Sequence, residues 1–465
     1  MKNISLLLLL IGYVCFSQNK QLLYGFTEIP QSLLSNPGGK VTNTGYFGIP
    51  FLSHFHINGG SSGATVYDFF ADDGVDFNIK FRRVIDQAKP GDFFTTTQQL
   101  EVVSGGFAFG SSYNKNQYLS FGVYQELDFI TYFPKDLAIL ALEGNQSNIG
   151  RPFRVNSVSA SAEVIAVWHF GYNKKVNEKF TYGARGKIYS SIINATSNKN
   201  EGAFTTVLGD NNFYKHIFNL DMALKTSGYA TNGEDNRFEP KDVIKRTLLG
   251  GNLGLGFDIG FTYNLNKQWT FDASLQDVGF IRHTKEVENH EIKGEVIFEG
   301  VDPIFFDSND GDSADDFFSN IEEEFEDLFD TNENSEAYTT WRPVKFNASL
   351  NYAFGEKRLK DCNCLAGESP YMNAIGAQLY VIKRPKSPQL ALTAYYYRRL
   401  FKSLRIKATY TLDSYTFNNI GLGVSAHLGG ANFYVLADNF LQYQNIYDAQ
   451  SVSLQLGFNY IFNNK

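Results

Sequence analysis

Asn252-Leu253-Gly254-Leu255-Gly256-Phe257-Asp258-Ile259-Gly260-Phe261-Thr262-Tyr263-Asn264-Leu265 alternates without a break. Every odd position from Leu253 to Leu265 is apolar, and Gly254, Gly256, Asp258, Gly260, Thr262 and Asn264 lie between them. Successive side chains of a strand point to opposite faces, so this segment has one apolar wall and one polar, glycine-rich wall. A strand of a soluble sandwich keeps such a pattern for about five or six residues, whereas a tilted membrane strand needs about ten. The length of the run selects the membrane strand.

The same period recurs along the chain. Tyr182, Ala184, Gly186 and Ile188 oppose Thr181, Gly183, Arg185 and Lys187, and comparable runs cover 404–412, 420–428 and 452–462. Strands are expected near 44–59, 97–112, 117–132, 157–172, 179–195, 251–265, 269–285, 342–355, 371–384, 388–400, 403–413, 418–428, 431–442 and 451–462. That is a fourteen-stranded, all-β, transmembrane antiparallel barrel spanning 44–462. Short links at 113–117, 173–179, 264–268, 399–405 and 428–432 alternate with longer ones, as periplasmic turns alternate with outer loops in such barrels. The long extracellular loops are expected at 196–250 and 286–341. Strand-like pieces at 203–208 and 216–224 would add a hairpin and bring the count to sixteen. In this register Gly186→Glu and Leu255→Arg should block the barrel, and Gly254→Ser on the lumen face should be tolerated.

Composition agrees: 41 Gly, 42 Phe and 27 Tyr coexist with a mean hydropathy of −0.25. Lys2 precedes an apolar run from Ile4 to Ser17, a secretory signal pattern shorter than the roughly 20 residues a spanning helix needs. Residues 1–17 are therefore expected to be a signal peptide directing export to the outer membrane. Val14 stands before Cys15 where a lipoprotein signal wants a small residue. Residues 18–43 precede the first strand and leave no room for a TonB-type plug. The net charge of −8 is local, because fourteen acids and no Lys or Arg lie within 302–336. No basic cluster points to nucleic acid.

Ile29-Pro30-Gln31-Ser32-Leu33-Leu34-Ser35-Asn36-Pro37-Gly38, followed by Tyr46-Phe47-Gly48-Ile49-Pro50, feeds the first strand. Later come Ala394-Tyr395-Tyr396-Tyr397-Arg398-Arg399, Asn419-Ile420-Gly421-Leu422-Gly423 and Tyr434-Val435-Leu436-Ala437-Asp438-Asn439. These elements resemble the DUF5723 family of Bacteroidota outer-membrane proteins. That family looks like a relative of FadL-type fatty-acid channels and of PorV, a partner of the type IX secretion translocon. The resemblance implies a fourteen-stranded barrel with a small helical periplasmic hatch at 18–43, marked by Asn36 and Pro37. It brings no ligand pocket that maps onto residues of this chain.

The register places Glu126, Glu163, Asp258 and Asp272 in the lumen with Arg185, Lys187, Arg405 and Lys407. They read either as compensating pairs that close the interior or as a polar ligand path. His54 and His56 share a face but lack a third ligand for catalytic zinc, and Cys362 and Cys364 are too close for an ordinary disulfide. In the acidic loop, Asp307, Asp310 and Asp312 surround Gly311, yet placing Gly311 sixth in a calcium loop puts Phe306 first. Phe318, Ile321, Phe325 and Leu328 have the spacing of a short amphipathic helix. Asp312-Ser313-Ala314 resembles the Bacteroidota O-glycosylation sequence. No catalytic set or cofactor motif is present, so the expectation is not an enzyme. Two functions remain. One is a passive channel for hydrophobic or small amphipathic solutes; the other is an accessory subunit whose loops dock another outer-membrane or cell-surface protein. A tunnel past the hatch would favour the first. A lumen closed by paired charges, with apolar loop surface exposed, would favour the second.

Overall fold

The computed structural model describes residues 20–111, 114–209, 214–228, 240–298, 330–356 and 371–462. The wall strands are β1 (Gly45–Gly48 and Phe55–Ser61), β2 (Phe93–Ser111), β3 (Asn114–Tyr132), β4 (Ala160–Lys175) and β5 (Phe180–Ser197). They continue as β6 (Asn252–Asn264), β7 (Trp269–His283), β8 (Tyr338–Trp341 and Lys345–Glu356), β9 (Tyr371–Ile382) and β10 (Gln389–Arg399). β11 (Leu404–Leu412), β12 (Asn419–Leu428), β13 (Ala431–Asp438) and β14 (Ser451–Phe462) complete the wall. Each strand pairs antiparallel with its sequence neighbour, and β1 closes the ring onto β14 through Gly45↔Phe462 and Phe55↔Leu456. Closure leaves no unpaired edge, which a lipid-facing sheet requires. No helix among the described residues is long and apolar enough to cross a membrane.

The alternation of 252–265 is realised side chain by side chain. Leu255 is 59% exposed on the outer face, and Asp258 is 0% exposed inside. Gly186 has open space where a Cβ would stand, in keeping with a lipid-facing position. Gly254 corrects the tolerance expected of it: a Cβ there would lie 2.1 Å from the Phe280 carbonyl oxygen. Lumen-facing does not mean roomy at that position.

Two of the wall's irregularities bear on the interior. Opposite Asp258, β7 carries a bulge between the pairs Phe257↔Val278 and Ile259↔Leu275, with Asp277 at a φ of 56°. The extra residue reverses the parity of β7, so Gln276 and Asp277 both turn inward. β1 leaves its ladder between Gly48 and Phe55, where Pro50 has no N–H to offer and Phe51 adopts a φ of 62°. Phe51 and Leu52 face outward there, whereas Ser53 and His54 turn in.

A second sheet stands on the long-loop end. Its strands Pro152–Arg154, Glu201–Val207, Lys215–Ser227, Val287–Phe298 and Asp330–Asn334 pair in that order. It is rooted in β5 through the pairs from Asn194↔Ser227 to Thr196↔Lys225. The hairpin expected within 196–250 therefore exists but does not enter the wall, which keeps fourteen strands. Of 286–341, the described residues 286–298 and 330–341 are likewise largely strand and not loop, and β8 begins at Tyr338, earlier than expected. Helices Phe77–Gln87 and Lys135–Glu143 cover one end of this sheet through Ile85, Ile139 and Phe153. Asp307, Asp310, Asp312, Phe318, Ile321, Phe325 and Leu328, with Cys362, Cys364 and the signal segment, lie outside the described residues.

Candidate functional site

Residues 20–43 lie within the barrel and not beneath it. Consecutive turns (Leu23 N to Lys20 O, 3.1 Å; Phe26 N to Leu23 O, 3.1 Å; Ile29 N to Phe26 O, 3.0 Å) lead into the short helix Ser32–Ser35. These turns bring Leu22, Leu23, Phe26 and Ile29 to one side, where all four are 0% exposed against Tyr434 and Leu436 of β13. Phe26 meets Tyr397 of β10 edge-on at 5.8 Å. Burying four such side chains contributes about 6–12 kcal/mol toward holding the hatch in place.

The tip of the hatch explains two glycines of the wall, Gly183 and Gly260. Asn36 Oδ1 accepts from Gly38 N at 2.9 Å, forming a tight Asn-Pro-Gly turn. Asn173 Nδ2 donates to Pro37 O at 2.8 Å and to Gly39 O at 2.9 Å, and Thr262 Oγ1 donates to Gly38 O at 2.8 Å. A Cβ on Gly183 would lie 2.0 Å from Pro37 O, and one on Gly260 would lie 2.2 Å from Asn36 Oδ1. Only glycine lets the two backbones approach this closely. On β12, across the lumen, Gly423 brings the wall against Leu22 and Phe26. The hatch thus reaches from β5 and β6 to β12, and the lumen is filled at its level.

The sequence-derived lumen charges divide into two sets. Arg405, Lys407 and Asp272 anchor the hatch. Lys407 Nζ donates to the carbonyls of Gln21 (3.2 Å), Leu22 (3.2 Å) and Tyr24 (2.6 Å), capping the first turns of the segment. Arg405 Nε stands 3.8 Å from Glu28, which also accepts from Tyr397 OH at 2.7 Å. Asp272 accepts from Tyr24 OH. Among the described residues Lys407 makes no ion pair; it is held by backbone carbonyls of the hatch and by the Tyr395 ring, 4.6 Å from its ammonium.

Glu126, Glu163, Arg185, Lys187 and Asp258 belong to a continuous ladder of buried ion pairs. Asp258 binds Arg185 (3.0 Å) and Lys187 (2.8 Å); Lys187 passes to Asp277 (2.6 Å), and Asp277 to Lys345 (2.8 Å). Lys345 reaches Glu126 (3.3 Å), Glu126 binds Arg342 (3.0 Å), and Arg342 binds Glu163. Four cations thus meet four anions, so the ladder carries no net charge. Its lower end touches the hatch, because Arg185 also donates to Leu33 O and Leu34 O. Farther toward the long loops, Arg384 pairs with Asp128 at 2.7 Å. A buried pair broken on one side leaves an uncompensated charge, so such a ladder resists local opening.

Asp277, Arg342 and Lys345 were missed by the sequence reading. Asp277 sits on the outer parity of β7 until the bulge turns it in. Arg342 and Lys345 flank Pro343, where β8 changes parity between its two halves; the signal was a charged pair bracketing a proline at a strand start. His54 and His56 do not form a joint site: His54 Nδ1 bonds Tyr434 OH at 2.7 Å and His56 Nε2 faces Ser453 Oγ at 3.4 Å.

The model of a family of unknown function, DUF5723, matches residues 37–438. The chain belongs to DUF5723. The DUF5723 match opens at Pro37, in the turn that seats on Gly183, and closes at Asp438, the last residue of β13. No curated protein matches this DUF5723 chain. Among solved structures it is similar to a Pseudomonas aeruginosa FadL homologue, at 9% identity and a TM-score of 0.45, over 97% of this chain and 98% of that one. It is also similar to the Ralstonia pickettii toluene transporter TbuX, at 9% identity and a TM-score of 0.44, over 97% of this chain and 100% of that one. The Pseudomonas putida toluene transporter TodX aligns at 8% identity and a TM-score of 0.40, over 97% and 99%.

Proposed function

We propose that this outer-membrane barrel is a non-conducting accessory subunit that presents its loop-end sheet to another outer-membrane or cell-surface protein. The observation that carries this reading is the filled lumen: the hatch touches the wall on opposite sides, and a neutral ion-pair ladder continues above it. The neutral, paired ladder offers no field to draw a charged solute past it, and opening it strands buried charges. Native purification in gentle detergent tests the reading. A stoichiometric partner that is lost when 201–227 is replaced by a short linker supports it; a chain that purifies alone and carries solute contradicts it.

One observation favours a gated passive channel instead. Where Leu22, Leu23, Phe26 and Ile29 pack, the wall offers Tyr397, Tyr434 and Leu436, so a displaced hatch would expose an apolar lining suited to a hydrophobic or small amphipathic solute. Solute-dependent loss of hatch protection against hydrogen exchange would support that reading.

A further inference from the structure

The wall is not of even height. At about 3.3 Å per residue and a tilt near 40°, the nineteen residues of β2 rise roughly 48 Å, while the eight of β13 rise roughly 20 Å. The apolar band of such barrels is about 25 Å tall, so β13 falls short of it.

The chain beyond β13 makes up the difference in kind. Residues 439–450 carry one charged side chain, Asp448, and expose Leu441, Ile446 and Tyr447, the last at 69%, beside the polar Gln444, Asn445 and Asp448. Four of their backbone N–H groups are bonded within the segment: Gln442 N to Asn439 O (3.0 Å), Asn445 N to Gln442 O (3.0 Å), Asp448 N to Asn445 O (3.2 Å) and Ala449 N to Ile446 O (3.2 Å). Each such bond lowers the cost of bringing non-strand chain into contact with hydrocarbon. Helix Val66–Phe70, in the loop after β1, packs against the turn Ile446–Asp448 and exposes Val66, Tyr67 and Phe70, the last at 71%. This patch continues the outward faces of β13 and β1, where Phe433, Val435 and Ile57 are exposed. The nine-residue β11 repeats the arrangement: its loop turns Asp413 inward and Phe417 outward.

We infer that the rim above β13, β14 and β1 is embedded in the leaflet on the long-loop side, with Phe70, Leu441 and Tyr447 among lipid acyl chains. The exposed Phe70, Leu441, Ile446 and Tyr447 need a cover, and their place directly beyond the lipid-facing residues of β13 and β1 assigns that cover to the bilayer, with the polar side chains among them at its headgroup edge. The loop-end sheet, rooted in β5, then stands clear of the membrane on the other side of the barrel.

Spin labels read this directly. With the native cysteines replaced by serine, single cysteines at Phe70, Leu441 and Tyr447 are labelled in the full chain reconstituted in phospholipid vesicles. Val435→Cys serves as the lipid-facing reference and Leu208→Cys, in the loop-end sheet region, as the aqueous one. Collision with oxygen over a water-soluble nickel complex should shift at all three positions to the ratio found at 435. A ratio matching 208 would overturn the inference, as the rim would then face water. Low accessibility to both reagents would also overturn it, because protein contact between copies would be the cover. None of these outcomes depends on whether the lumen conducts, so the accessory-subunit reading stands or falls separately.

Discussion

Replacing Lys407 by Met should free the hatch while leaving the wall in place. Met has nearly the same length and is apolar, so β11 keeps its ladder to β10 and β12. What disappears is one ammonium and three bonds to the carbonyls of Gln21, Leu22 and Tyr24. Bonds to a charged donor contribute about 1.5–3 kcal/mol each, a gross loss of about 4–9 kcal/mol. Against this, the variant no longer buries a charge, a relief of several kcal/mol. The net expectation is a loss of about 2–4 kcal/mol in the free energy of hatch opening. At 1.4 kcal/mol per factor of ten, the open population rises roughly 30- to 700-fold. Hydrogen exchange at the amides of 23–36 measures this opening directly, with Lys402→Met in the exposed β10–β11 turn as control. Exchange protection unchanged from the unsubstituted chain, with folding intact, would refute the assignment of Lys407 as an anchor.

Arg342→Met should lower barrel stability by about 3–5 kcal/mol, because Glu163 loses its cation while Glu126 keeps Lys345. Glu163→Gln in the same chain should recover part of that loss, read as the midpoint of heat-induced unfolding on unboiled gels. Leu255→Arg should prevent accumulation in the membrane at a cost of about 2–4 kcal/mol. Gly254→Ser should also reduce accumulation, since its Cβ would meet the Phe280 carbonyl; a fully tolerated serine would contradict that contact. An epitope inserted after Asp310 should be stained on intact cells, and one after Asn177 only after permeabilisation; the reverse pattern inverts the topology.

Every wall strand was legible because lipid on one side and a polar interior on the other impose a two-residue period throughout, and the segment 252–265 shows it at full length. Arg185, Lys187 and Asp258 were legible for the same reason. Asp277 was not, because a bulge inverts parity without marking the sequence; Arg342 and Lys345 were missed although Pro343 between them marks where β8 changes parity. The loop-end strands were weakly legible, since neither lipid nor a single continuous core fixes their alternation. The partnership of Lys407 with hatch carbonyls could not be read at all, because it depends on where residues 20–25 fold, far from β11 in sequence. Asn36 and Pro37 stood out in the sequence, but their reason lies on the opposite surface, in the glycines of β5 and β6.

Solute permeability of vesicles containing the purified full chain tests the filled lumen most directly. Uncharged sugars and small aromatic solutes should enter such vesicles no faster than empty ones. Removal of residues 20–39 from the same chain should open them. Rapid entry with the intact chain would contradict the filled lumen.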